Sequence, residues 1–212
     1  MCPGGEVVAA ASEEDTVVVN GMSHRARDGV NSNAAIAVSV RTTDYEPVEG
    51  SLVLGAIAYQ RRIERAAFLA GGKDYSVPVQ TVGDFLEGDR AIREPTRVKP
   101  SYMGGDRYRL APVSETLPDY VCQSLRYGLR SFDCKVKGYA MPEAVLSAAE
   151  TRTSAPVRIL RGEDLCAIGH PGVYPCGEGA GYAGGITSAT VDGLRIAEAI
   201  LAAYAPAKND LL

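Results

Sequence analysis

Five glycines stand at positions 177, 179, 181, 184 and 185 in the segment GEGAGYAGG, with a single carboxylate, Glu178, among them. Glycine has no Cβ, so a concentrated run of this kind brings the main chain close to a ligand or lets it take positive φ. The next residue, Ile186, opens a helical pattern. A helix entered from a glycine loop offers unpaired backbone N–H groups and the positive end of its dipole, which favours phosphate or another anion. Glu178 alters that preference, because a carboxylate repels phosphate and accepts hydrogen bonds from hydroxyls. Gly177, Glu178, Gly179, Gly181, Gly184, Gly185 and Ile186 therefore suit a ligand that carries both a sugar alcohol and a pyrophosphate.

A flavin dinucleotide is such a ligand. The elements that must position the loop are legible on both sides of it. Val173 to Cys176 is a short apolar run that reads as a buried strand. After the loop, Ile186, Ala189, Val191, Leu194, Ile196, Ala197, Ile200 and Leu201 recur at helical spacing and stop near Pro206. The order is strand, glycine loop, helix. A phosphate-binding enzyme unrelated to flavin is disfavoured by Glu178 and by the absence of G-x-x-x-x-G-K-[ST].

The segment YPCGEGAGYAGGITSATVDGL resembles the C-terminal flavin-binding signature of FAD-dependent dehydrogenases. More closely, CPGGEVVAAASE, VVNGMSHRARDG, NSNAAIAV, ETRTSAPVRI and GEGAGYAGGI, in that order, are similar to a bacterial family of uncharacterised NAD(FAD)-utilising dehydrogenases. The resemblance implies FAD as cofactor, contacted through the 177–186 loop, with NAD(P) as a possible second nucleotide and a small molecule as substrate. It also implies an N-terminal Rossmann unit with G-x-G-x-x-G between a strand and a helix, and nothing at the start of this sequence supplies one. The expected FAD site is thus partial, and the partner implied is an FAD-binding domain or a separate chain.

Three arginines are candidates for facing flavin or substrate. Arg25 belongs to a donor-rich loop with Arg27 and Asn31-Ser32-Asn33, and loops between strands often carry binding residues. Arg152 and Arg158 flank the strand-like run Thr153 to Val157, where a positive group would hold a carboxylate or stabilise an anionic reduced flavin. The alternative for each is an ordinary ion pair with a neighbour such as Asp28, Glu150 or Glu163. Lys99-Pro100-Ser101-Tyr102 and the nearby Arg97 could line a cleft, but a surface loop is the simpler account of them. No catalytic residue is assigned, since in such enzymes the chemistry resides in the isoalloxazine ring.

A net charge of −4, no long basic run and no Trp give no reason to expect nucleic acid. No apolar stretch is long enough to span a membrane, and the first residues lack the charged and apolar parts of a signal peptide. Cysteines 2, 122, 134, 166 and 176 are odd in number and irregularly spaced, and with only His24 and His170 they form no recognisable metal cluster. Free thiols in the cytoplasm are the expectation, with Cys176 buried at the end of its strand.

Along the chain, residues 6–11 and 16–20 read as a hairpin and Ala34 to Val40 as a further strand. Leu52 to Phe68 carries a helical stripe that ends at Gly71-Gly72. Val79 to Leu86 reads as a short helix, Pro95 to Arg109 as irregular, Tyr120 to Phe132 as a helix, and Glu150 to Arg161 as a return to strand. The expected fold is α/β in the α+β sense. Residues 1–48 and 150–212 form a β-rich flavoprotein part, and 49–149 a mainly helical insertion that walls a substrate cleft. This resembles the substrate domain plus the last strand and helix of a two-domain flavoprotein.

The function implied is that of a portion of an FAD-dependent oxidoreductase, with incomplete FAD binding and no turnover on its own. The alternative is a non-catalytic binding or self-associating module in which the glycine loop is structural, with an exposed apolar face.

Overall fold

The computed structural model describes residues 2–11, 13–100, 102–103 and 107–204. It is an α+β chain of two compact units, Met1–Thr151 and Arg152–Leu212.

The first unit is built on small sheets and three α-helices. β1 (Cys2–Pro3) pairs with β4 (Ser32–Asn33). The expected hairpin is present as β2 (Gly5–Ala10) and β3 (Val18–Ser23), antiparallel from Gly5↔Ser23 to Ala10↔Val18. β6 (Tyr102–Met103) joins β2 in parallel. A second three-stranded sheet has β5 (Val77–Thr81) between β7 (Tyr108–Leu110) and β8 (Val145–Ser147). All five residues of β5 are buried, as a central strand covered on both faces requires.

α1 (Leu52–Ala70) starts at Ser51, whose hydroxyl accepts the Leu54 N–H at 3.3 Å. It ends at Gly71, where a Cβ would stand 1.9 Å from the Ser76 carbonyl oxygen, so only glycine permits this close return of the chain. α2 (Val82–Leu86) begins where Thr81 accepts the Asp84 N–H, and α3 (Asp119–Lys135) follows Pro118 and a 3₁₀ turn at Val113–Thr116. Ile63, Ala67 and Phe68 of α1, Val77 and Val79 of β5, Phe85 of α2 and Leu129 of α3 form the core. Burial of a side chain such as Phe85 or Leu129 contributes about 1.5–3 kcal/mol.

Polar groups inside this core are matched. Gln80 is fully buried, accepts the Val113 N–H at 2.9 Å and donates to Asp89, which also takes Arg126 at 2.9 Å. Tyr59 of α1 meets Tyr120 of α3 through their hydroxyls at 2.7 Å, and burial pushes the Tyr59 phenol well above its ordinary pKa. Among the described residues no buried side-chain nitrogen or oxygen lacks a partner.

Several sequence expectations are corrected here. Ala34 to Val40 has no strand partner; Ile36 instead packs from irregular chain onto the core. The run expected as one helix from Val79 is divided at Thr81, with strand before it and helix after it. The region expected to be irregular, 95–109, contains β6 and part of β7. In the second unit neither Thr153 to Val157 nor Val173 to Cys176 is a strand. Val173 is held in a turn instead, its N–H donating to the His170 carbonyl and its carbonyl accepting the Ala167 N–H, and among the described residues of this unit the helix is α4 (Ile186–Ala203).

Candidate functional site

The glycine loop belongs to the second unit, and its shape begins at Gly177. That residue is buried with φ +69°, a conformation few other residues take without strain. Its carbonyl accepts the Tyr182 N–H at 3.0 Å, and the Glu178 carbonyl accepts the Gly181 N–H at 2.9 Å. The 177–182 stretch is therefore a closed turn. Gly181 has φ +82°, and a Cβ there would lie 2.5 Å from the Val157 carbonyl oxygen. The turn thus packs against 157–158 by backbone contact, with the Ile159 N–H donating to the Ala180 carbonyl at 3.2 Å.

Beyond the turn the chain opens. Gly184 and Gly185 are exposed, and a Cβ at Gly184 would meet nothing within 4 Å. Gly185 is the N-cap of α4 and supplies no side chain to the first N–H groups of the helix, while Ile186 is 91% exposed. An open cavity of about 350 Å³ lies beside this point, lined by Ser154, Ala155, Arg158, Gly181, Tyr182, Ala183 and Gly184. Its size is within the range of small-molecule sites. It carries one cation, one phenol ring, a serine hydroxyl and glycine backbone, a donor set suited to part of a dinucleotide.

Of the sequence candidates, Gly181, Gly184 and Arg158 line the cavity, Gly177 shapes the turn behind it, and Gly185 and Ile186 form the helix entrance. Glu178 and Gly179 are exposed and are not among the lining residues. Arg158 donates from Nε to the Gly181 carbonyl at 2.9 Å and sits 5.1 Å from the Tyr182 ring centroid. Arg152 is exposed and is not among the lining residues. Arg25 is exposed in a turn after β3, in the first unit. Lys99 gives its carbonyl to Asn31 Nδ2 at 2.8 Å, Ser101 lies outside the described residues, and Tyr102 belongs to β6. Cys176 is exposed and not buried as expected, because no strand forms there to cover it.

Three residues that sequence reasoning did not single out organise the loop. Asp192 of α4 is 8% exposed; its Oδ2 accepts the Gly177 N–H at 2.8 Å and Arg161 NH1 at 3.1 Å, and its Oδ1 accepts Arg161 NH2 at 2.9 Å. Arg161 NH1 also donates to the Pro175 carbonyl at 3.0 Å, and the guanidinium lies 3.4 Å from the Tyr182 ring centroid. Tyr182 donates its hydroxyl to the Ile159 carbonyl at 2.9 Å and accepts the Arg161 N–H at 3.1 Å. Arg161, and after it the Gly177 N–H, hold the Asp192 carboxyl below the usual carboxylate range. One signal was available in the sequence: Ala189, Asp192 and Ile196 share a helix face at i, i+3 and i+7, so a carboxylate falls on an otherwise apolar stripe.

Among the described residues no group of three or more His, Cys, Asp or Glu could hold a metal ion, and no helix is long and apolar enough to cross a membrane. The chain is 51% identical over 201 residues to an uncharacterized protein of Clostridium beijerinckii, an alignment covering 95% of this chain. It spans 37% of that relative's length. Residues 1–153 match the family described as "FAD-dependent protein, C-terminal domain-like", and the chain belongs to that family.

Proposed function

We propose that this chain supplies part of the flavin site of an FAD-dependent oxidoreductase, a dehydrogenase that moves a hydride or electrons between a small-molecule substrate and NAD(P) or another acceptor. The observation that carries the reading is the juxtaposition of the glycine turn, the entrance of α4 at Gly185 and the cavity containing Arg158 and Tyr182. Membership of an FAD-dependent family supports it. Gly181, Gly184 and Arg158 would hold the cofactor at the cavity, Gly185 and Ile186 would present backbone N–H groups, and Glu178 would accept hydrogen bonds from its hydroxyls. Bound FAD supplies the redox chemistry. The residues of this chain bind it, orient it and place one positive charge beside it.

In this reading the remaining FAD contacts come from an FAD-binding part beyond these residues, on the same polypeptide or a separate one. Residues 49–149 would meet the substrate, and the setting is the cytoplasm. The chain alone binds FAD weakly and has no turnover. Visible absorbance of the concentrated protein after incubation with FAD and gel filtration tests this, the expected result being a substoichiometric flavin band, with NADH oxidation no faster than in its absence.

A second reading is a self-associating module. It is favoured by the exposure of Ile186, Leu194 and Leu201 on α4, at 91%, 61% and 76%. Light scattering across a range of protein concentrations checks it; concentration-dependent dimers lost in Leu201→Glu would support it.

A further inference from the structure

Building on the flavin reading, we propose that Arg161 and Asp192 are positioning residues for the glycine loop, setting the conformation in which Glu178 to Gly185 meets the cofactor. Neither residue lines the cavity, so neither acts as a ligand. Each acts through the backbone. Arg161 holds the Pro175 carbonyl and Asp192 the Gly177 N–H, two groups that bracket Cys176 immediately before the turn. Gly177 is also held at its carbonyl by the Tyr182 N–H, and Tyr182 lies under the Arg161 guanidinium. One ion pair therefore controls both ends of the 177–182 turn.

A pair that only fastened α4 to the preceding segment would need no bonds to the loop backbone. Here a single carboxylate oxygen serves Gly177 and Arg161 together, and one guanidinium nitrogen serves Asp192 and Pro175 together. Both side chains are about nine-tenths buried, at 11% and 10% exposure, so water does not substitute readily for either partner. The planar fork of arginine matches the carboxylate, adds the Pro175 bond and stacks on Tyr182; lysine offers a point charge and loses most of this.

The test compares the whole chain with Asp192→Asn, Arg161→Lys, the double variant, and Ile196→Ala as a control that removes buried apolar volume from α4 one turn beyond Asp192 and leaves the ion pair intact. FAD affinity is read by quenching of flavin fluorescence, and loop order by amide exchange at Gly177 and Tyr182. The expected result is FAD binding about tenfold weaker or worse in each single variant, the loss of one charge-assisted hydrogen bond or more. The double variant is expected to be no weaker than the worse single, because the two residues act as one unit. Gly177 and Tyr182 exchange faster in these variants, and Ile196→Ala keeps its affinity within about twofold of the unaltered chain.

If Asp192→Asn fails to fold, Arg161→Lys carries the comparison. Affinity in both single variants equal to that of the unaltered chain overturns the proposal and leaves the flavin reading standing, as does an equal loss in Ile196→Ala. No saturable FAD binding by the unaltered chain overturns the flavin reading and this inference with it.

Discussion

Arg161 and Asp192 meet in a two-pronged ion pair, NH2 to Oδ1 at 2.9 Å and NH1 to Oδ2 at 3.1 Å, and the same Oδ2 takes the Gly177 N–H at 2.8 Å. The contact joins three parts of the sequence: the 158–161 segment, the start of the glycine turn and the second turn of α4. A buried pair of this kind does not stabilise greatly compared with apolar residues of equal size, but losing one partner is costly. Arg161→Met is expected to lower the local stability of residues 152–204 by about 3–5 kcal/mol, up to the whole stability of that unit, because Asp192 is left buried with its charge. Residue-resolved hydrogen exchange measures this directly.

The same pair gives a pH dependence of definite sign. Asp192 is held below the usual carboxylate range by Arg161 first and the Gly177 N–H second, with a smaller contribution from the Cys176 thiol; the neutral ring of Tyr182 completes the surroundings of the pair through its stacking with Arg161. A depressed folded-state pKa means the contribution is complete above the unfolded value of about 3.9 and is lost as pH falls through the folded value. Protection of the loop amides should be level from about pH 7 to 5 and fall below about 4. In Asp192→Asn that fall should be absent.

Two glycines of the loop should respond differently to substitution. At Gly181 a Cβ would lie 2.5 Å from the Val157 carbonyl, and φ is +82°. Gly181→Ala is expected to cost about 1–3 kcal/mol from backbone strain alone, with more from the contact. At Gly184 there is open space, so Gly184→Val should leave the thermal unfolding of the chain within about 0.5 kcal/mol of its original stability. Circular dichroism melts of the two variants separate these outcomes.

The fold was legible where local chemistry and packing agree. The hairpin of β2 and β3, the Ser51 to Gly71 limits of α1, and α3 and α4 all follow from period, caps and turn residues. Strands were misread where pairing depends on distant chain. Val77 to Thr81 became a central strand because Tyr108–Leu110 and Val145–Ser147 flank it, and neither neighbour is visible in the local pattern. Thr153 to Val157 has strand-forming residues and no strand, because its neighbour is the turn at Gly181.

Of the residues that line the cavity, Gly181, Gly184 and Arg158 were singled out by type and position in the sequence. Arg161 and Tyr182 were not, because nothing about either residue alone states that a guanidinium will stack on a ring 21 positions away. Asp192 was half legible: its place on an apolar stripe marks it as buried, but its partner is set by the tertiary path of residues 158–161.

Thiol reactivity provides a check that needs no ligand. Cys134 and Cys176 are exposed, whereas Cys122 and Cys166 are buried, and burial pushes the Cys122 thiol above its ordinary pKa. Since the thiolate is the reactive form, iodoacetamide at neutral pH should label Cys134 and Cys176 first and reach Cys122 only on unfolding. Peptide mapping after a timed quench reads the order, and early labelling of Cys122 would contradict the packing of α3 against the 3₁₀ turn.

The central claim is that the 177–186 loop contacts FAD, and titration of the chain with FAD, followed by flavin fluorescence, tests it most directly. Glu178→Ala removes the exposed carboxylate, and Gly184→Val places a branched side chain at the cavity lining where the fold leaves room for it. Weak, saturable quenching is expected with the unaltered chain and a clear loss in both variants, with their melting curves unchanged. Binding that is the same in all three proteins, or no saturable binding at high protein concentration, would contradict it.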